Sequence, residues 1–203
     1  MIAFTRDRHP AQHGSFVSQG GRWPIHCVDG TKGFEFHPAL NPPSAAVVID
    51  KGADGTSEGF DGFEGTDLLA RLQQGGVTRV FVAGLATEYC VRATALSSLK
   101  SGFETWIVVD AIAPVEQTPG DNDRAILEMR DKGVILATAG QVTTLLDYQI
   151  HPTALVVVDV QNDFFPGGTL AVGEAPRIVE PIQLLLRHSA ESGKRVKHLE
   201  AYP

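Results

Sequence analysis

The chain is poor in cysteine and has no long apolar segment. Only two of its 203 residues are cysteines, Cys27 and Cys90, which excludes a disulfide framework and is typical of a reducing compartment. Its apolar runs are far shorter than the ~20 residues that span a bilayer, and its first residues lack the plan of a signal peptide. We therefore expect a cytoplasmic protein that does not contact membranes.

The chain also lacks clusters of basic residues. Lys and Arg number 17 against 24 Asp and Glu, a net charge of −7, and phosphate binding needs concentrated positive charge. Nucleic acid is therefore not an expected partner. With 43% apolar residues the composition is too apolar for disorder, and the length favours one domain over residues 1–203.

Apolar runs and helical patterns alternate along the chain. The runs are short, β-branched and nearly continuous, as in strands buried on both faces; they are Ile2–Thr5, Ala46–Ile49, Val80–Ala83, Trp106–Val109, Val134–Ala137 and Ala154–Val158. Helices are predicted at Thr66–Gln74, Thr87–Lys100, Asn122–Lys132, Gln141–Tyr148 and Glu174–Ser192, the last closing at Gly193. This alternation predicts a three-layer α/β fold with a doubly wound, mostly parallel, six-stranded sheet.

Polar residues with catalytic potential follow several of these strands. Asp7, Lys51, Cys90 and Asp159 come just after four different strands. Ligands of open α/β sheets bind at the carboxyl ends of the strands, so we expect these side chains at one edge of one sheet.

Cys90 is expected in the first turn of a helix, with Thr87 as the N-cap. A helix N-terminus favours negative charge, so this position predicts a lowered pKa for the thiol and N–H groups that stabilise an oxyanion. The alternative is an inert, buried structural cysteine.

A second group of residues has the chemistry of a metal site. Asp7, His9, His13 and His26 lie before or within a long stretch without predicted secondary structure, Arg8–Ser44. Carboxylate and imidazole ligands suit one divalent metal, zinc first, with manganese and iron as alternatives. Histidines in such a loop are otherwise ordinary surface residues.

Six motifs together resemble the nicotinamidases (pyrazinamidases) of the isochorismatase-like cysteine hydrolases. They are Val158–Phe164 (VDVQNDF), Asp7–His13 (DRHPAQH), Trp23–Cys27 (WPIHC), Lys51-Gly52, Phe60–Gly65 (FDGFEG) and Gly84–Val91 (GLATEYCV). The resemblance implies a metal-dependent hydrolysis of nicotinamide, and of pyrazinamide, to the carboxylate and ammonia in NAD salvage.

The resemblance also implies a role for each matching residue. Asp159, Lys51 and Cys90 correspond to the catalytic triad, with Asp159 as the base and Cys90 as the nucleophile that forms a thioester. The backbone N–H groups of Ala86 and Cys90 correspond to the oxyanion hole, after a cis peptide bond between Leu85 and Ala86. The remaining assignments are Trp23, Phe60, Leu85 and Phe164 for substrate binding, and Asp7, His9 and His26 for the metal, with His13 as a further ligand or supporting residue.

The order of the motifs differs from that of the family. Residues 151–196 correspond to the family's N-terminal part and residues 2–147 to the remainder, which predicts a circular permutation. Residues 197–203 are expected to be an added tail. Ala154–Val158 is then a central strand beside Val80–Ala83. A homo-oligomer, including a strand-swapped dimer, is compatible with this arrangement.

The sequence is also compatible with three other functions. A related amidohydrolase, of the ureidoacrylate or carbamoyl-sarcosine type, needs the triad but not the metal residues. A non-catalytic metal- or ligand-binding module needs no working nucleophile. A thiol redox sensor needs Cys27 within disulfide reach of Cys90.

Overall fold

The computed structural model describes residues 1–148 and 152–199. Its six strands are β1 Ile2–Asp7, β2 Val47–Lys51, β3 Arg79–Leu85, β4 Glu104–Ala113, β5 Ile135–Ala137 and β6 Thr153–Val158. They form one sheet in the order β2-β1-β6-β3-β4-β5, and every pair is parallel. All six predicted strands are confirmed, and β6 is central and pairs with β3, as expected.

Five α-helices cover the two faces of this sheet. They are α1 Leu68–Gln74, α2 Arg92–Lys100, α3 Asp121–Asp131, α4 Ala139–Tyr148 and α5 Val179–Leu199. Buried residues of α1, α2 and α3 pack in one apolar cluster, while α4 and α5 contribute to the other. The three-layer, doubly wound α/β architecture is therefore confirmed.

The strands are buried because they carry apolar residues on both faces. All seven residues of β3 are buried, and so are five of the six residues of β6. A strand covered by helices on both sides has no solvent face, so its sequence is continuously apolar rather than alternating. This explains why short apolar runs were enough to locate the strands.

The last helix differs from the prediction. It begins with a 3-10 turn at Ala175–Ile178 and continues as α5 through Gly193 to Leu199. A glycine inside a helix costs only about 1 kcal/mol relative to alanine, and no proline follows until Pro203. The predicted end at Gly193 is wrong, and residues 197–199 of the expected tail continue α5. Residues 149–151 and 200–203 lie outside the described residues.

The carboxyl ends of β1, β2, β3 and β6 meet at one edge of the sheet. Asp7 pairs with Lys51 in the register of β1 with β2, and Gly84 pairs with Val158 in the register of β3 with β6. Gly84 has φ +118°, and a Cβ there would lie 2.0 Å from Val158 O. Only glycine allows these two strands to approach so closely beside Asp159.

No helix in residues 1–148 and 152–199 is long and apolar enough to cross a membrane.

Candidate active site

Lys51, Asp159 and Cys90 meet at this edge of the sheet, as predicted. Lys51 Nζ lies 2.7 Å from Asp159 Oδ2, 2.6 Å from Asp7 Oδ1 and 3.4 Å from Cys90 Sγ. Cys90 Sγ and the carboxylate oxygens of Asp7 and Asp159 lie within 4.8 Å of one another. The Lys51, Asp159 and Cys90 side chains are all buried, so their mutual electrostatic interactions are little screened by water.

Burial and the neighbouring charges shift the pKa values of Lys51, Asp159 and Asp7 in opposite directions. Burial opposes the charge on Lys51, but the Asp159 and Asp7 carboxylates raise its pKa well above the ordinary value. Burial raises the pKa of Asp159 to about 6 in spite of Lys51. Burial also opposes ionisation of Asp7, and Lys51 with His9 nevertheless lowers the pKa of that carboxyl. At neutral pH the site therefore contains an ammonium between two carboxylates.

Cys90 is at the start of a helical segment, but its setting differs from the prediction. Thr87–Val91 form a π-helical turn that leads into α2, and Ala86 precedes it in extended conformation. Thr87 makes no capping hydrogen bond, and its hydroxyl has no hydrogen-bond partner among the described residues, so the predicted N-cap is wrong. Burial raises the pKa of the Cys90 thiol well above its usual value, so the predicted lowering is wrong too. The thiol is therefore not ionised by the helix start, and the Asp159 carboxylate, within 4.8 Å of Cys90 Sγ, is the proton acceptor beside it.

The peptide bond between Leu85 and Ala86 is cis, as the resemblance implies. Tyr89 N and Val91 N both donate to Ala86 O and close the turn around Cys90. This backbone arrangement brings the two residues predicted to form the oxyanion hole, Ala86 and Cys90, into the same turn.

Asp7, His9 and His26 form a compact group of metal-type ligands. One ligand atom of each lies within 4.8 Å of the others, and all three side chains are buried. His9 Nδ1 lies 3.2 Å from Gly52 O, and His26 Nδ1 lies 2.7 Å from Pro24 O. When Nδ1–H donates a hydrogen bond to a carbonyl, the Nε2 lone pair is free for a metal. Burial lowers the pKa of His9 to about 4, so this imidazole is neutral at pH 7.

His13 lies beside this group rather than within it. Its ring contacts the His9 ring at a tilt of 35° with 4.0 Å between centroids, and its Nδ1 lies 2.7 Å from Ser15 Oγ. Its Nε2 is buried and has no hydrogen-bond partner in the part of the chain that the structure describes. A buried polar atom without a partner is costly, and a metal ligand bond would satisfy it. The Asp7 carboxylate and the His9 and His26 imidazoles therefore fit one divalent ion, and His13 supplies a further nitrogen next to this group.

Two of the predicted aromatic residues, Trp23 and Phe60, form one cluster with Tyr89, the residue before Cys90. The Trp23 and Phe60 rings lie 6.5 Å apart, and Tyr89 contacts both, at 5.0 Å from Trp23 and 5.4 Å from Phe60. The Arg22 guanidinium lies 4.9 Å from the Trp23 ring. Phe164 lies apart from this trio, 5.9 Å from the His26 ring. Leu85, the last predicted substrate-binding residue, is fully buried at the end of β3.

Three residues of the site were not predicted. Tyr89 completes the aromatic trio, and its position next to Cys90 was an available signal. Gln161 holds Asp7 in place, accepting from Asp7 N at 2.8 Å and donating to Asp7 O at 2.8 Å. Thr5 donates to Asp159 Oδ1 at 2.7 Å. The last two contacts depend on the β1–β6 register, which apolar runs do not reveal.

A buried cysteine beside an aspartate and a lysine, at the carboxyl edge of a doubly wound sheet, has the composition of a hydrolase site with a cysteine nucleophile. The chain belongs to the isochorismatase domain family, whose sequence pattern matches residues 1–141 and 153–203.

Among curated relatives, the nicotinamidase/pyrazinamidase of Mycobacterium tuberculosis is 40% identical over 141 residues, 66% of this chain and 75% of that protein. The nicotinamidase of Escherichia coli is 32% identical over 158 residues, covering 68% and 74%. Among solved structures, the pyrazinamidase of Pyrococcus horikoshii in complex with zinc is 46% identical with a TM-score of 0.64, covering 68% of this chain and 75% of that one.

Proposed function

We propose that this protein is a nicotinamidase that hydrolyses nicotinamide, and pyrazinamide, to the ring carboxylate and ammonia. The observation that carries the proposal is the proximity of the Cys90 thiol to the Lys51 ammonium and the Asp159 carboxylate. Directly beside them, Asp7, His9 and His26 form a group suited to one metal ion. A related amidase that works without a metal has no need of this second group.

In the first half of the reaction, Asp159 accepts the Cys90 proton while the sulfur attacks the carboxamide carbon. The carbonyl oxygen takes the negative charge, which the N–H groups of Ala86 and Cys90 stabilise. The proton then passes from Asp159 to the amide nitrogen. The C–N bond breaks, ammonia leaves and a thioester on Cys90 remains.

In the second half, Asp159 accepts a proton from water as the water oxygen attacks the thioester carbon. The C–S bond breaks, the sulfur recovers a proton from Asp159, and the acid leaves as its carboxylate after losing its own proton to solvent. Lys51 keeps its proton throughout, because Asp7, Asp159 and Gly59 O hold its ammonium at 2.6, 2.7 and 2.7 Å. Its charge favours the ionised form of Asp159.

Substrate orientation is assigned to the second group of residues. Asp7, His9 and His26 would hold the metal, with His13 as a further ligand, and a bound divalent ion supplies a Lewis acid for the pyridine nitrogen. Trp23, Phe60, Phe164 and Leu85 supply the apolar walls for a flat aromatic ring. Zinc is the proposed ion, supported by the zinc complex of the Pyrococcus horikoshii relative.

An ammonia-release assay tests this proposal directly. Full-length protein loaded with zinc is incubated with nicotinamide, pyrazinamide and N-carbamoylsarcosine, and acid-quenched samples are searched for an acylated Cys90 peptide. We expect ammonia from the two aromatic amides and a nicotinoyl adduct on Cys90. Ammonia from N-carbamoylsarcosine alone would assign the protein to a different amidase, and no ammonia from any substrate would assign it to binding.

We also infer that the strands follow a permuted order relative to the family. The match of the family to two separate segments supports this, as does the insertion of β6, late in sequence, between β1 and β3. The cytoplasmic location, the role in NAD salvage and a homo-oligomer stay predictions.

A further inference from the structure

Asp159 has an unusual backbone conformation for a residue with a side chain. Its φ is +48°, in the left-handed region, which aspartate tolerates better than most residues. Asp159 N donates to Thr5 O at 3.1 Å, and Gln161 N donates to Asp159 O at 2.9 Å. Two hydrogen bonds therefore hold the peptide groups on either side of Asp159, and Thr5 O accepts one of them.

The two carboxylate oxygens of Asp159 have different partners. Thr5 Oγ1 donates to Oδ1 at 2.7 Å, while Lys51 Nζ lies 2.7 Å from Oδ2. One cationic partner leaves a carboxylate free to swing about the line to that partner. A second donor on the other oxygen fixes the plane of the carboxylate, and with it the direction from which a proton of Cys90 can be accepted.

Thr5 is itself held in one orientation. Its neighbour across the strands is Val158, the residue before Asp159, so the β1–β6 register places Thr5 beside the base. Thr5 is fully buried, and its Cγ2 methyl faces Gly62, where a Cβ would lie only 3.1 Å away. Because this methyl is packed, the hydroxyl is directed at Asp159 rather than free to rotate.

We propose that Thr5 is a positioning residue that orients Asp159 to accept the Cys90 proton. This inference rests on the proposed amidase function. Thr5 contacts neither substrate nor sulfur in the mechanism and acts only through Asp159. Thr5 therefore affects only the steps in which Asp159 accepts or donates a proton. A substitution of Thr5 should accordingly lower kcat and leave KM nearly unchanged.

Thr5→Val tests the proposal because valine keeps the packed methyl and replaces only the hydroxyl. We expect kcat for nicotinamide to fall at least tenfold while KM stays within about threefold. Thr5→Ser keeps the hydroxyl and should restore kcat to within about threefold. The matched control is Thr94→Val, since Thr94 is equally buried and its hydroxyl accepts from Gly62 N at 3.0 Å without contacting Asp159.

Two outcomes would overturn the assignment: a Thr5→Val enzyme with kcat within twofold of the parent, or a Thr94→Val enzyme with an equal loss. Thermal melting of all variants identifies any that fail to fold. If Thr5→Val does not fold, Thr5→Ser and Thr5→Cys are compared instead, because serine keeps the hydroxyl and cysteine leaves only a weak donor.

A second readout needs no substrate and so separates this inference from the proposed function. Iodoacetamide reacts with the thiolate, so its rate of labelling Cys90 depends on the Asp159 group beside the sulfur, and peptide mass analysis distinguishes Cys90 from Cys27. We expect Thr5→Val to change the labelling rate in the same direction as Asp159→Asn does, with no further change in the double variant. If the protein releases no ammonia but shows this pattern, the amidase assignment fails while the role of Thr5 stands; additive changes in the double variant would reject that role.

Discussion

Lys51 and Asp159 form an ion pair of 2.7 Å in which both side chains are almost completely buried. Asp7 shares the same ammonium at 2.6 Å. Removing one partner of a buried pair leaves uncompensated charge, which typically destabilises a protein by about 3–5 kcal/mol. Lys51→Met should therefore lower the free energy of unfolding by this amount, measured by urea denaturation at pH 7, and abolish ammonia release.

The loss in Lys51→Met should shrink at low pH. Protonation of Asp7 and Asp159 removes the charges that the methionine variant leaves unpaired, so the difference from the parent protein should be smaller at pH 4 than at pH 7. Lys132→Met is the matched control, because Lys132 pairs with Glu128 at the surface and should cost at most about 1 kcal/mol. Equal stabilities of the Lys51→Met and parent proteins at pH 7 would contradict a structural role for this pair.

The activity should fall on the acid side with a midpoint near pH 6. Burial raises the pKa of Asp159 to about 6, and protonated Asp159 cannot accept the Cys90 proton. We expect kcat/KM for nicotinamide to fall tenfold per pH unit below this value, measured from pH 4.5 to 8 with zinc in excess. A flat profile between pH 5 and 7 would exclude Asp159 as the base.

The contribution of Asp159 to stability should depend on pH in the opposite direction to its contribution to activity, and should be lost as pH rises. Between its ordinary pKa of 3.8 and about 6, the folded protein binds this proton more strongly than the unfolded chain does. The contribution of this group to stability is therefore full below pH 3.8 and is lost as pH rises through 6. Asp159→Asn removes this dependence, so the difference in unfolding free energy between the two proteins should grow from pH 4 to pH 7 in favour of the variant.

The strands and the residues at their ends were predictable because their causes are local. A strand buried on both faces must be continuously apolar, and Asp7, Lys51 and Asp159 follow such strands directly in the sequence. Parallel pairing then brings strand ends to one edge. The order of the strands in the sheet was not predictable in this way, because no local sequence pattern indicates which strand pairs with which. It followed from the resemblance of the motifs to a known family.

The contacts that were missed depend on register and burial. The hydrogen bond from Thr5 to Asp159 exists only because Thr5 pairs with Val158 across the sheet. The pKa of Cys90 was predicted from its helix position alone, whereas burial and the neighbouring carboxylates raise it. These are properties of residues that are distant in sequence, so propensities and spacing contain no record of them.

Cys90→Ala should abolish ammonia release because the attacking sulfur is removed. The fold should persist, since alanine occupies less space in the same turn, with a melting temperature lowered by a few degrees at most. Cys27→Ala is the matched control, because Cys27 is also buried but its backbone N–H, not its sulfur, makes the 2.7 Å contact to Asp163. We expect this control to keep at least a third of the activity; turnover in Cys90→Ala would reject the thioester mechanism.

Metal removal should weaken substrate binding more than it affects the fold. Chelation and dialysis should give a protein that neither binds nor hydrolyses nicotinamide, and zinc at one equivalent per chain should restore both. His26→Ala should lower zinc affinity at least tenfold, measured by competition with a chromophoric chelator. His188→Ala is the control, because His188 pairs with Asp147 on helices distant in sequence from the ligands; equal zinc affinity in the two variants would contradict the assignment.

The proposed permuted order predicts that Tyr148–Thr153 only joins the two ends of the family's order. Replacing Gln149, Ile150 and His151 with a protease recognition sequence allows the chain to be cut there after folding. The two fragments should stay together, because β6 is hydrogen-bonded to β1 on one side and to β3 on the other. We expect the cut protein to elute as one species and to keep at least half of its activity, while the fragment that ends at Tyr148 lacks Asp159 and should be inactive alone. Separation of the fragments on cutting, with loss of activity, would show that this connection is essential and would contradict the permuted order.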